Sequence, residues 1–252
     1  MTDYKQEFMK CLQSIDRSKR SYDIFQDFLT VSTLAFRNVI EKKEEFEKQY
    51  QEIIKRYENP NKLAELLTIT MSALEEKPQD FLGQIYMFGN FGNKGTGQFF
   101  TPYHISEFMA DITIFETNPK QKIEEQGFIS VCEPCCGSGG IIIAASESLK
   151  KHDINPQKYM WFQGVDIDNV CCKMAYIQTT LLGLSGEIVY GNTLTLETWD
   201  TYITPMSLIT MNHLKFEQKQ IQLQEKERNR TNPIIDSDVY KINKKNGQLQ
   251  LF

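Results

Sequence analysis

The residues of this chain best suited to hold a ligand form one short run, from Glu133 to Gly140, in which an acidic residue is followed by a turn with three glycines. Glycine has no side chain, so such a turn lets the backbone approach a ligand closely. A predicted strand, Phe128–Cys132, leads into the run, and a predicted helix that begins at Ile141 points its free N–H groups at the same place. The run lacks the Gly-Lys-Ser/Thr of a P-loop and the G-x-G-x-x-G spacing of a dinucleotide site. It predicts a ligand site at the carboxyl end of a strand.

Two acidic residues follow the next predicted strand, Trp161–Asp166. A carboxylate at the end of this strand can accept hydrogen bonds from both ribose hydroxyls of an adenosine-containing cofactor, and we assign that role to Asp166. Asp168 has two equally good interpretations. It could contact the same ribose, or it could be the N-cap of the helix predicted to begin at Asn169.

The six cysteines include Cys132 and Cys135, whose C-x-x-C spacing is also found in zinc sites. Two observations argue against zinc. No second pair with similar spacing is present, and Cys132 falls at the end of a predicted buried strand, where a free cysteine is commonly a small core residue. We therefore expect thiols and no metal site.

The N-terminal part of the chain has the periodicity of amphipathic helices. The predicted helices are Ser21–Val39, Glu41–Glu58 and Pro60–Glu76. A glycine-rich loop, Gly89–Gly97, follows them. A further helix, Tyr103–Phe115, is predicted after the loop.

From residue 128 onward, short apolar strands alternate with helices, which indicates an α/β fold with an open parallel sheet. The predicted strands are Phe128–Cys132, Trp161–Asp166, Glu187–Tyr190 and Met206–Met211. The predicted helices between them are Ile141–Lys151 and Asn169–Leu182. The polar tail predicts an exposed helix, Lys215–Arg230, and then a hairpin, Val239–Phe252, around Asn246-Gly247.

Two motifs together resemble one family. Gly97–Pro102 (Gly-Gln-Phe-Phe-Thr-Pro) precedes Glu133–Gly140 (Glu-Pro-Cys-Cys-Gly-Ser-Gly-Gly) as in the modification subunit of type I restriction systems and in related orphan adenine methylases. The resemblance extends from Arg20 to Asn212 and includes Asp80-Phe81-Leu82-Gly83 in the helical region. It implies a Rossmann-like S-adenosylmethionine-dependent methyltransferase core at residues 96–252, preceded by an N-terminal helical region at residues 1–95.

The resemblance also implies the cofactor contacts. In the family, Phe-Thr-Pro packs over S-adenosylmethionine and bonds its methionine end, and the glycine turn is the main cradle. Asn192 stands where the family usually has aspartate, and it can contact the adenine amino group only as a neutral partner. The implied cofactor-binding residues are Phe100, Thr101, Pro102, Glu133, Pro134, Cys136, Gly137, Ser138, Gly139, Asp166 and Asn192.

The catalytic motif of the family is altered in this chain. The family carries Asn-Pro-Pro-Phe/Tyr. Its asparagine side chain and a following backbone carbonyl accept the two amino protons of a flipped-out adenine, and its aromatic ring stacks on the base. Here Asn212 is followed by His213-Leu214-Lys215, and the candidate stacking ring, Phe216, comes one residue late. Both prolines are absent, so the rigid turn that aims the backbone carbonyl is not guaranteed. The resemblance gives Asn212 and Phe216 as catalytic residues, with His213 as an alternative stacking ring.

These features favour an S-adenosylmethionine-dependent DNA adenine-N6 methyltransferase of the type I modification class. The altered motif keeps open a second hypothesis, a catalytically silent cofactor-binding relative that acts as a subunit or nucleic-acid-binding module. A third is methylation of protein or RNA. A net charge of −5 argues against a chain that coats nucleic acid by itself. The implied partners are therefore DNA and a specificity subunit, or a second copy, that covers a sheet edge. The polar N-terminus and the absence of a long apolar run predict a cytoplasmic protein without a membrane span.

Overall fold

The computed structural model describes residues 3–92 and 100–210. The helix predicted at Lys215–Arg230 and the hairpin predicted at Val239–Phe252 lie outside the described residues. So does the predicted boundary between residues 1–95 and 96–252, and that division stays a prediction.

Residues 3–92 contain five helices that pack around an aromatic core. The helices predicted near Ser21, Glu41 and Pro60 are confirmed, and the first and last were not predicted. The ring of Phe8 lies 5.6 Å from that of Phe28 and 5.9 Å from that of Phe81, both edge-on, a geometry that aromatic pairs prefer. The five helices are α1 (Tyr4–Ile15), α2 (Ser21–Glu41), α3 (Glu44–Ile54), α4 (Asn61–Glu76) and α5 (Phe81–Phe88).

The described residues that follow form a four-stranded sheet in the order β1-β2-β3-β4. The first three strands are parallel and the fourth is antiparallel. The strands are β1 (Ile129–Glu133), β2 (Met160–Asp166), β3 (Ser185–Asn192) and β4 (Glu197–Ile203). The helices are α6 (Tyr103–Glu116), α7 (Pro119–Gln126), α8 (Gly140–Lys151), α9 (Pro156–Tyr159) and α10 (Asn169–Leu181). The predicted class, an α/β fold with a mostly parallel sheet after a helical region, is confirmed.

The fourth strand predicted at Met206–Met211 is wrong over the described residues, because residues 205–210 are helical. Thr204 is the N-cap of this helix and Pro205 its first residue, positions at which threonine and proline are common. The hydroxyls of Thr204 and Ser207 both accept the backbone N–H of Gly186, at 3.1 and 2.8 Å, which fixes the turn against β3. The actual fourth strand, β4, has a polar sequence that gives little strand signal.

Helix α10 belongs to both hydrophobic cores. Cys171, Met174 and Ile177 are buried with the N-terminal helices. Ala175 and Tyr176, on the other side of α10, are buried with the strands. The helical region and the sheet are therefore packed on opposite faces of the same helix.

A buried arginine also joins α2 to β4. The Arg37 guanidinium bonds the carboxylate of Asp200 through two nitrogens, at 2.6 and 3.1 Å, and that of Glu41 at 2.7 Å. Its plane also lies 4.8 Å from the ring centre of Tyr202. The Arg37 side chain is 9% exposed and that of Asp200 is 41% exposed, so removing the guanidinium would leave partly buried carboxylates without their partner, a larger loss than breaking a surface pair. No helix among the described residues is long and apolar enough to cross a membrane.

We predict that Arg37→Ala lowers the free energy of unfolding by about 2 to 3 kcal/mol, since two carboxylates lose their buried partner. Arg20→Ala is the matched control. Arg20 pairs with Asp23, but its side chain is 81% exposed, so solvent screens the pair and the expected loss is much smaller than that of Arg37→Ala. Urea unfolding followed by circular dichroism measures both. Equal losses would contradict a stabilising role for the buried pair.

Candidate functional site

The glycine turn has the strand-turn-helix geometry predicted for it. Gly137 and Gly139 adopt φ values of +53° and +92°, which favour glycine. A Cβ on Gly137 would lie 3.2 Å from the Phe100 ring, and one on Gly139 would lie 3.2 Å from the Cα of Ala175. The turn is therefore closely surrounded, and a side chain at either position would strain the backbone or displace a neighbour.

Asp166 holds the turn from the neighbouring strand. Its carboxylate oxygens accept the backbone N–H groups of Gly137 and Asp168, each at 2.8 Å. A carboxylate has about four acceptor positions, so Asp166 retains capacity to bind a hydroxyl group. Burial raises the pKa of Asp166, and the carboxyl is half-buried. Asp168 is the N-cap of α10 and accepts the N–H of Val170 at 2.8 Å, the second of the two roles considered for it.

Six of the predicted cofactor residues line one cleft over the turn: Phe100, Thr101, Cys136, Gly137, Ser138 and Asp166. The Phe100 ring packs edge-on against Tyr86 of α5 at 5.3 Å, so the helical region positions it. Pro102 lines an adjacent cavity together with Phe100 and Thr101.

The other predicted contacts, Glu133, Pro134, Gly139 and Asn192, do not line this cleft. The Glu133 carboxylate accepts the N–H of Cys135 at 3.2 Å, and the Pro134 carbonyl accepts the Thr193 hydroxyl. The Asn192 side chain accepts the N–H of Leu194 at 2.9 Å, which closes the turn after β3. These residues shape the loops at the carboxyl ends of the strands.

The cysteines are free thiols. Cys136 is buried and Cys135 is exposed. The prediction that Cys132 is buried in its strand is wrong, because β1 is buried only at Ile129 and Cys132 is exposed. Burial raises the pKa of Cys136, which keeps that thiol neutral. Within residues 3–92 and 100–210, no three His, Cys, Asp or Glu side chains are grouped as metal ligands. The predicted catalytic residues, Asn212 and Phe216, lie outside these ranges.

A buried polar network in the wall of the cleft, which Asp80 and Ser138 both line, was not predicted. Asp80 is the N-cap of α5, and it accepts hydrogen bonds from Gly83 N–H, the Ser138 hydroxyl and Gln178 Nε2 at 3.0, 2.6 and 3.0 Å. Gln178 Nε2 also donates to the Ser138 carbonyl at 2.8 Å, and its Oε1 accepts the Leu82 N–H at 2.9 Å. The available signal was one glutamine on the apolar inner face of α10, and the N-cap pattern at Asp80.

The sequence profile of the N-6 DNA Methylase family matches residues 77–248, more than half of the 252-residue chain. The chain belongs to this family. The match includes α5, the glycine turn, Asp166 and the altered motif at Asn212.

Two curated relatives carry type I restriction enzyme names. The MpnII methylase subunit of Mycoplasma pneumoniae is 28% identical over 153 residues, which are 56% of this chain and 26% of that protein. The MjaIX methylase subunit of Methanocaldococcus jannaschii is 27% identical over 120 residues, which are 45% of this chain and 19% of that protein. The matched segments thus span about a quarter and a fifth of these relatives. A solved class I S-adenosylmethionine-dependent methyltransferase from Listeria monocytogenes is 16% identical, with a TM-score of 0.44 over 79% of this chain and 57% of that one.

The buried Asp80 carboxyl gives a pH dependence of stability with a definite sign. Burial raises its pKa above the ordinary value of 3.8, so the folded chain binds this proton more tightly than the unfolded chain does. The stability it contributes is full at low pH and is lost as the pH rises through the raised pKa. We predict that the unfolding free energy of Asp80→Asn minus that of the wild type rises with pH above 3.8.

Asp111→Asn is the control with the opposite sign. The hydrogen bond from the Lys151 ammonium, 2.7 Å away, lowers the pKa of Asp111, so replacing it removes stability that is present at higher pH. Urea unfolding of the three proteins at several acidic pH values measures both differences. A pH-independent or falling difference for Asp80→Asn would show that burial does not raise its pKa.

Proposed function

We propose that the chain is the S-adenosylmethionine-binding core of a DNA adenine-N6 methyltransferase of the type I modification class. The observation that carries this proposal is the glycine turn bonded to Asp166 beneath Phe100, in a chain of the N-6 DNA methylase family. Both curated relatives are methylase subunits of type I restriction enzymes, which supports the class.

The residues of the cleft fit S-adenosylmethionine. A Cβ on Gly137 would project against the Phe100 ring, which lines the same cleft, and the backbone of the turn is held by the bond to Asp166. Asp166 would hold the ribose hydroxyls through its remaining acceptor positions. The turn and Phe100-Thr101-Pro102 would hold the methionine end. When bound, S-adenosylmethionine supplies an electrophilic methyl group, so no metal or covalent enzyme intermediate is needed.

The substrate is positioned by residues of the altered motif. The side-chain oxygen of Asn212 would accept one amino proton of a flipped-out adenine and so hold its nitrogen in line for methyl transfer. Phe216, or His213, would stack on the extruded base. These roles rest on the motif, since the three residues lie outside the described structure.

DNA binding is assigned to the chain together with a specificity subunit. With a net charge of −5, the chain by itself has little electrostatic attraction for the phosphates of DNA. β1 and β4 are the edge strands of the sheet formed by the described residues, and a partner or a second copy could cover either.

A catalytically silent relative is the second candidate. The observation in its favour is the loss of both prolines after Asn212, which leaves the backbone carbonyl of the motif without a rigid turn. Such a protein would bind S-adenosylmethionine and transfer no methyl group.

We predict that Asn212→Ala lowers methyl transfer by about 100-fold or more while the Kd for S-adenosylmethionine stays unchanged, because the side chain positions adenine only. Transfer of tritiated methyl groups to adenine-containing duplex DNA, with a type I specificity subunit added, measures the rate. Calorimetry measures the Kd. Asn61→Ala, at the start of α4, is the control. Cofactor binding by the wild type without transfer would establish the silent candidate instead.

We predict that Gly137→Val weakens S-adenosylmethionine binding by about 100-fold or more, about 3 kcal/mol, because a side chain would enter the space against Phe100. Gly127→Val is a matched control. Gly127 also has a positive φ, +83°, but a Cβ there would meet no atom within 4 Å. Both variants therefore carry backbone strain, and only one should lose affinity in calorimetry. Wild-type affinity in Gly137→Val would show that the cofactor binds elsewhere.

A further inference from the structure

Asp80 makes more contacts than a helix cap requires. An N-cap side chain needs one acceptor for one backbone N–H, and Asp80 provides this for Gly83. Its other oxygen accepts the hydroxyl of Ser138, which lies 58 positions further along the chain. Asp80 is 5% exposed and Ser138 is 2% exposed, so this 2.6 Å hydrogen bond is shielded from water.

Gln178 completes the network from α10. It is fully buried and bonds both Asp80 and the backbone carbonyl of Ser138, so Ser138 is held by its side chain and by its main chain. Its side-chain oxygen accepts the N–H of Leu82 in α5. The Asp80 carboxyl thus accepts hydrogen bonds from three donors, on Gly83, Ser138 and Gln178. The single hydroxyl of a serine or threonine cap could not accept all three.

Two glycines allow the network to pack closely. A Cβ on Gly83 would collide with the Asp80 carboxylate and with the Ser138 hydroxyl. A Cβ on Gly140 would lie 3.4 Å from the Cβ of Asp80. The first turn of α5 is therefore in direct contact with the glycine turn.

Ser138 lies between Gly137 and Gly139, the two residues of the turn with positive φ. Glycines at such positions move easily unless something outside the turn fixes them. Asp166 fixes the N–H of Gly137 from the sheet side. The Asp80–Ser138 bond fixes the middle of the turn from the helical side.

From this geometry we infer that Asp80 is a positioning residue for the cofactor turn, acting through Ser138 and Gln178, and that the helical region is part of the cofactor site. The inference rests on the proposed binding of S-adenosylmethionine at the turn. Loss of the Asp80 carboxyl frees the Ser138 hydroxyl and removes one partner of Gln178, which then holds the turn only through the Ser138 carbonyl. The turn samples conformations that do not bind, and cofactor affinity falls.

The test compares Asp80→Ala with Asp80→Asn in the full chain. Alanine removes every acceptor, and the Kd for S-adenosylmethionine in calorimetry should rise about tenfold or more. Asparagine keeps the shape and the acceptor for Gly83, and its amide can donate to the Ser138 hydroxyl, so the Kd should stay within about threefold of wild type. Asp80→Ala and Ser138→Ala should raise the Kd less together than the sum of their separate effects, because both remove the Asp80–Ser138 bond.

Asp27→Ala is the matched control for general destabilisation. The Asp27 carboxylate in α2 accepts the Tyr57 hydroxyl at 2.8 Å, a bond confined to the helical region. This variant should lose stability in urea unfolding and keep the wild-type Kd. The inference is overturned if Asp80→Ala keeps the wild-type Kd, if Asp27→Ala loses as much affinity, or if Asp80→Asn fails to restore it.

A second readout does not depend on the cofactor. Hydrogen exchange of the peptide that contains residues 134–140, in the protein without ligand, should accelerate in Asp80→Ala and remain near wild type in Asp80→Asn and Asp27→Ala. Unchanged exchange in Asp80→Ala would overturn the positioning role. If the wild type binds no S-adenosylmethionine but the exchange changes as expected, the proposed function fails while the role of Asp80 in holding the turn stands.

Discussion

The Asp80 carboxyl is buried at the point where three distant segments of the chain meet: the start of α5, the glycine turn and α10. A buried carboxyl without hydrogen-bond donors is strongly destabilising, so the three segments must bring their donors to it for the fold to form. Gly83, Ser138 and Gln178 do so at 3.0, 2.6 and 3.0 Å. This requirement fixes the position of the helical region relative to the turn.

The shared helix α10 extends the same constraint. One of its faces is buried with the N-terminal helices and the other with the sheet, and Gln178 bonds both α5 and the turn from it. Phe100 also links the helical region to the turn, since its ring packs against Tyr86 of α5 and against Gly137. The cleft is therefore built jointly by the helical region and the sheet. A chain lacking the N-terminal helices would retain Asp166 and the glycines but lose Asp80, which bonds the Ser138 hydroxyl, and Tyr86, which packs against Phe100.

Local signals were enough to predict much of this arrangement. The strand, glycine turn and helix around Gly137 depend on neighbouring residues, and so does the N-cap role of Asp168. The contacts of Gln178 depend on residues up to 98 positions away, so one sequence shows only a polar residue among apolar ones. The prediction of the fourth strand was wrong for a related reason. Thr204-Pro205 begins a helix whose apolar residues resemble those of a strand. The actual strand, β4, is held by pairing with β3 and by the ion pair with Arg37, and its polar sequence indicates neither interaction.

A crystal structure of the full chain with S-adenosylmethionine tests the central claim most directly, namely that the turn held by Asp80 and Asp166 is the cofactor site. We predict ribose hydroxyls within hydrogen-bonding distance of the Asp166 carboxylate, a ligand in the cleft against Phe100, and an unbroken Ser138–Asp80 bond. Ligand density elsewhere on the molecule, or binding in the cleft with the Ser138–Asp80 bond broken, would contradict the account.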